Sequence, residues 1–227
     1  MNTRSLCVES FPVAARYELA VPADARRALA TGWLGLALGA LLASGLFSIL
    51  LVLSRAPYVK DAFPLVDFFR VALVVHVDLS VLVWFSAFAG LLWSLHGAPR
   101  MQWLGWTALA GAAVATAAMC LAPFVDAATP MMANYIPVLD GPVFLRALVL
   151  FGFSCALLVG RALAAAPRVG TRLDGAAALR FGLNAAAVSA AGRLLAFGWS
   201  YTAGPAAIDG KAHFAVLSWG CGPVPPV

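Results

Sequence analysis

Charged side chains are scarce in this chain. They make up 11% of its 227 residues, well under the roughly one quarter that a soluble domain uses to solvate its surface. With 63% hydrophobic residues and a mean hydropathy of +0.90, a water-soluble globular domain is excluded. Cysteine is sparse as well. Cys7, Cys120, Cys155 and Cys221 are widely dispersed, two of them inside apolar runs, and this spacing gives neither a zinc-ligand set nor a disulfide framework. Also lacking is an apolar core among the first residues, where Arg4, Glu9, Arg16 and Glu18 stand, so no cleavable signal is expected. A contiguous basic stripe is missing too. The net charge of +5 and pI near 9.4 come from Lys and Arg placed between apolar runs. That distribution sets membrane topology and offers nothing to a phosphate backbone, so a nucleic-acid partner is excluded.

What is present is apolar length. A bilayer core about 30 Å thick needs roughly twenty apolar helical residues, and five runs supply them: residues 31–53, 66–95, 103–123, 143–164 and 176–202. Helix is the state that satisfies every backbone polar group within one segment in lipid. The fold class expected is therefore all-α, a polytopic transmembrane bundle of five full helices plus the start of a sixth near His213. Residues 1–30 read as a polar tail, 31–222 as the membrane domain and 223–227 as a proline-rich end. In the third helix, Gly111, Ala112, Ala115 and Ala118 recur at spacings that let neighbours approach, which predicts a buried position for it.

Orientation follows from Lys and Arg. Arg4, Arg16, Arg26, Arg27, Arg100, Arg161, Arg168, Arg172 and Arg180 fall on one side, against Arg55, Lys60 and Lys211 on the other. The N-terminus is thus expected in the cytoplasm of a bacterial-type inner membrane. Entering from the outer face, the second helix carries His76 about 15 Å deep, near mid-bilayer. An imidazole there is costly and marks a candidate functional residue. Two readings stand: a metal ligand, or a histidine hydrogen-bonded to a neighbouring helix. Asp78, two residues on, points about 200° away from it, whereas Ser80 shares its face.

The string HVDLSVLVWFSAFAGLLWSL (76–95), followed by NYIPVLDGPVF (134–144) and HFAVLSWGCG (213–222), resembles cytochrome c oxidase subunit I of the haem-copper oxidase superfamily, nearest its cbb-type and nitric oxide reductase branch. The segments occur in the family's order. The resemblance implies that His76 is an axial ligand of a low-spin haem, with a cytochrome c-type electron donor and other respiratory-chain subunits as partners. In the family, a Trp-Gly-Gly-Gly-His string opens the sixth helix and supplies a copper ligand. Here Trp219, Gly220, Cys221 and Gly222 run into Pro223, so copper is not expected. The expectation is a truncated subunit I-like protein that does not reduce oxygen alone, or alternatively a non-enzymatic haem-binding or assembly subunit. A small transporter ranks last, because no paired Gly/Pro breaks interrupt corresponding halves.

A second axial donor has few candidates. His96 lies at the cytoplasmic end of the same helix, His213 near the outer surface, and Met119 closer in depth but of a type that fills cores. Arg193, inside the fifth helix, is expected to meet a haem propionate or to pair with a carboxylate such as Asp78, unless it snorkels outward. Trp199 and Tyr201 read as interfacial aromatics.

Overall fold

The computed structural model describes residues 21–57, 68–126, 128–132, 137–170 and 175–203. Its helices are α1 (Ala25–Leu53), α2 (Phe68–Val77), α3 (Trp84–His96), α4 (Gln102–Val125), α5 (Pro142–Ala164) and α6 (Gly175–Ala203). A π-helical turn, Asp78–Val83, joins α2 to α3 without a break, and the two form one span, Phe68–His96. Five stretches are long and apolar enough to cross a membrane, so the chain is an all-α, multi-pass membrane bundle. The sixth-helix start, residues 1–20 and residues 223–227 lie outside the described residues.

α1 begins earlier than the apolar run suggests. Asp24 adopts an extended conformation, and its Oδ1 accepts the Arg26 backbone N–H at 2.9 Å, which satisfies an orphan donor of the first turn. Residues 25–30, expected in the polar tail, are therefore helical. The Arg26 guanidinium also binds both Asp24 oxygens, and these side-chain and backbone hydrogen bonds hold the Asp24 carboxyl below its usual range. The cap is ionised at neutral pH.

Packing follows residue size. On α1, Leu29, Trp33, Ala37, Ala40, Ser44 and Phe47 are buried, while Leu38, Leu42 and Leu46 point outward, as a lipid-facing surface requires. α4 is likewise two-faced. Gly105, Ala108, Ala112, Ala115, Met119 and Ala122 turn inward, but Trp103, Trp106, Val114 and Leu121 face out, so the expected burial of this helix holds for one side of it. Gly111 receives the Ser154 hydroxyl of α5, which would collide with any Cβ there.

The second span differs from the single uninterrupted helix expected. Buried positions Val75, Leu79, Val83 and Ala87 recur every four residues. In an α-helix four residues overshoot one turn by about 40°, and the wider π turn takes back part of that rotation. It keeps these side chains against α1.

Both ends of the bundle are tied. At the N-terminal end, Arg26 Nη1 donates to Gly97 O at 2.8 Å, Ala98 N to Ala165 O at 2.8 Å and Asn184 Nδ2 to Pro167 O at 2.9 Å. At the other end, Phe124 packs on Phe47 and Phe68, and two short antiparallel strands, β1 (Thr129–Met131) and β2 (Val138–Asp140), pair in the connection to α5. There Asp126 Oδ2 accepts the Val143 N–H at 3.1 Å and caps α5. Gly141 is required beside it, because a Cβ would lie 2.5 Å from that oxygen. Asp126→Ala is expected to lower stability by about 1 kcal/mol, read as the midpoint of thermal unfolding in detergent. Asp126→Asn should retain most of the cap.

Candidate functional site

Three serines surround His76. Ser44 and Ser48, one turn apart on α1, face the ring: its Nδ1 lies 2.9 Å from the Ser44 carbonyl, 2.9 Å from Ser44 Oγ and 3.3 Å from Ser48 Oγ. A carbonyl only accepts, so the Nδ1 proton is donated to Ser44 O. The Ser44 hydroxyl donates in return to the His76 carbonyl at 3.0 Å, and Ser80 Oγ donates to the same carbonyl at 2.8 Å. This reciprocal pair holds α1 and α2 together through polar groups at the level of the ring.

The consequence is a fixed tautomer. With Nδ1 protonated, Nε2 carries the lone pair, and it has no hydrogen-bond partner among the described residues. The ring is half-buried. A metal-binding histidine is ordinarily held this way, its far nitrogen donating to a carbonyl that orients the ring and raises the basicity of the ligating nitrogen. The donor offered suits haem iron, which takes an axial imidazole. Among the described residues no three His, Cys, Asp or Glu side chains gather to hold a metal ion.

The remaining sequence candidates are not brought to this ring. His96 Nδ1 is bonded to Leu92 O at 3.0 Å, at the opposite end of the span. Met119 is fully buried in the α4 core. His213 and Cys221 lie outside the described residues. Arg193 sits on the exposed side of α6, which packs on α5 and α3, whereas Asp78 is buried on the π turn with its Oδ2 unpartnered. No ion pair between Arg193 and Asp78 is present among the described residues. Cys120 and Cys155 are free thiols.

Two features escaped the sequence reading. Ser44 and Ser48 form an i, i+4 hydroxyl pair in the apolar part of α1, a signal that was available. Arg161, read there only as a topogenic charge, is 0% exposed inside the last turn of α5.

No protein-family model matches the chain, and no solved structure matches it. Over 73 residues, 32% of its length, the chain is 36% identical to an uncharacterized protein of Rickettsia prowazekii (strain Madrid E), and those residues span 14% of that protein.

Proposed function

We propose that the chain is a cytochrome c oxidase subunit I-like membrane protein that binds a low-spin haem, with His76 as one axial ligand. The observation that carries this reading is the Nδ1–H bond from His76 to Ser44 O at 2.9 Å, which leaves Nε2 as an oriented donor inside an apolar span. A haem bound there supplies a one-electron iron couple. Ser44 holds the ring in register. In this reading the electron comes from a cytochrome c-type donor.

Oxygen reduction by this chain alone is not part of the proposal. The sequence has three histidines, too few for a haem iron pair and the imidazoles of a copper site together. Among the described residues the N-terminal end of the bundle carries Arg26, Arg27, Arg100, Arg161, Arg168 and Arg180, and the other end Arg55, Arg70 and Arg146. That imbalance supports a bacterial-type inner membrane location with the N-terminus in the cytoplasm.

One observation favours a narrower second reading, a non-enzymatic haem-binding or assembly subunit. In its most apolar window α6 is 6% buried, against 22–44% for the other spans, which leaves a long surface for a partner chain.

The test is an optical spectrum of the purified protein after expression with ample haem, recorded before and after dithionite. Sharp reduced low-spin bands are expected. A colourless preparation would sink both haem readings.

A further inference from the structure

The N-terminal end of the bundle holds a second polar group that the haem reading does not use. Arg161 is 0% exposed, and its Nε and Nη1 have no hydrogen-bond partner. Its Nη2 reaches Gln102 Oε1 of α4 at 3.4 Å, while the Gln102 amide nitrogen is buried and unpartnered. Trp33 Nε1 of α1 and Ser94 Oγ of α3 are in the same condition, on side chains 1% and 0% exposed.

These groups share one region. A Cβ placed on Gly105 would meet Leu29 at 2.5 Å and Arg161 Nε at 3.0 Å, so α1, α4 and α5 converge there. Trp33 lies one turn from Leu29 and packs on Gly90 of α3, where a Cβ would come within 2.6 Å of the indole. Ser94 is one turn beyond Gly90. One turn of helix advances about 5.4 Å, so these donors from four helices stand at a similar depth in the bundle.

The group is unbalanced. The indole, amide and guanidinium nitrogens only donate, and Ser94 alone can also accept. The Gln102 oxygen already faces Arg161, and both Asp24 oxygens are held by Arg26. Water does not balance such a set, because each water that accepts N–H bonds brings its own O–H groups to place. A buried guanidinium without a counter-charge also costs several kcal/mol. One kind of occupant answers both deficits, a particle that only accepts and carries negative charge.

We infer that Arg161, Gln102, Trp33 and Ser94 form an enclosed site for a small inorganic anion of halide size. The full burial of Arg161 and Trp33 excludes a lipid headgroup and favours a compact ion. Arg26, Arg27 and Arg100 at the same end give an approaching anion an attractive entrance.

The test uses the full chain purified in neutral detergent, with thermal unfolding followed in sodium bromide, sodium chloride and sodium gluconate at equal ionic strength. Bromide and chloride are expected to raise the midpoint saturably, by about 5 °C at the plateau, and gluconate to leave it unchanged. Arg161→Gln removes the response. Gln102→Glu places a built-in carboxylate beside the guanidinium, and the bromide response is expected to vanish while the protein stays folded; this variant decides the matter if Arg161→Gln does not fold. Equal midpoints in all three salts for the unmodified chain overturn the site, as does a bromide response that survives Gln102→Glu. Stabilisation by phosphatidylglycerol micelles with none by bromide also overturns it.

Discussion

His76→Ala is expected to remove the low-spin haem bands completely, while the helical circular dichroism of the protein stays close to that of the parent. Alanine removes the Nε2 lone pair, and no other imidazole among the described residues lies beside it, since His96 is bonded to Leu92 O at the far end of the span. His96→Ala is therefore the control, and its reduced spectrum should match the parent. Ser44→Ala separates the hydroxyl from the carbonyl. The Nδ1–H bond to Ser44 O survives, so haem stays bound, but the Ser44 hydroxyl no longer donates to the His76 carbonyl. Loss of a supporting partner of this kind weakens metal binding by about 10–100-fold, which haem titration measures. Retained colour in His76→Ala together with lost colour in His96→Ala would place the haem elsewhere and remove the proposal.

The architecture was legible because lipid imposes a simple rule: apolar length means a span, and every span found by length is present with ends shifted by a few residues. Shifts arise where a polar group extends the helix, as Asp24 does for α1. The site was legible in one residue. Depth marks His76 because an imidazole is expensive there, but its partner carbonyl belongs to a backbone, and no side-chain code announces which backbone a ring will meet. The π turn was invisible for a related reason. No proline or glycine precedes Gly90 in that span, and a run that is apolar all round does not reveal its inward face. The burial of Arg161 was not legible, because a basic residue near a helix end is ordinarily topogenic. Its burial depends on Gly105 leaving room, a tertiary fact.

Gly90→Ala is expected to be among the most damaging single-methyl changes in the bundle. A Cβ there would lie 2.6, 2.9 and 3.0 Å from three atoms of the Trp33 ring, and Trp33 is 1% exposed. A flat, enclosed indole has no free end to swing aside, so α1 and α3 must separate. Overpacking of this kind costs about 3 kcal/mol, and the better helix propensity of alanine returns roughly 1 kcal/mol of it. The net loss of about 2 kcal/mol corresponds to a fall of about 4–8 °C in the unfolding midpoint for a chain of this size. Gly152→Ala provides the contrast, since a Cβ on Gly152 meets nothing within 4 Å, and it is expected to be neutral or slightly stabilising. The decisive variant is the double change Gly90→Ala with Trp33→Leu. If the indole is the obstacle, the second substitution recovers stability that the first one lost, giving strong non-additivity between two touching residues. Simple addition of the two single effects would mean that α1 and α3 are not held apart by this contact.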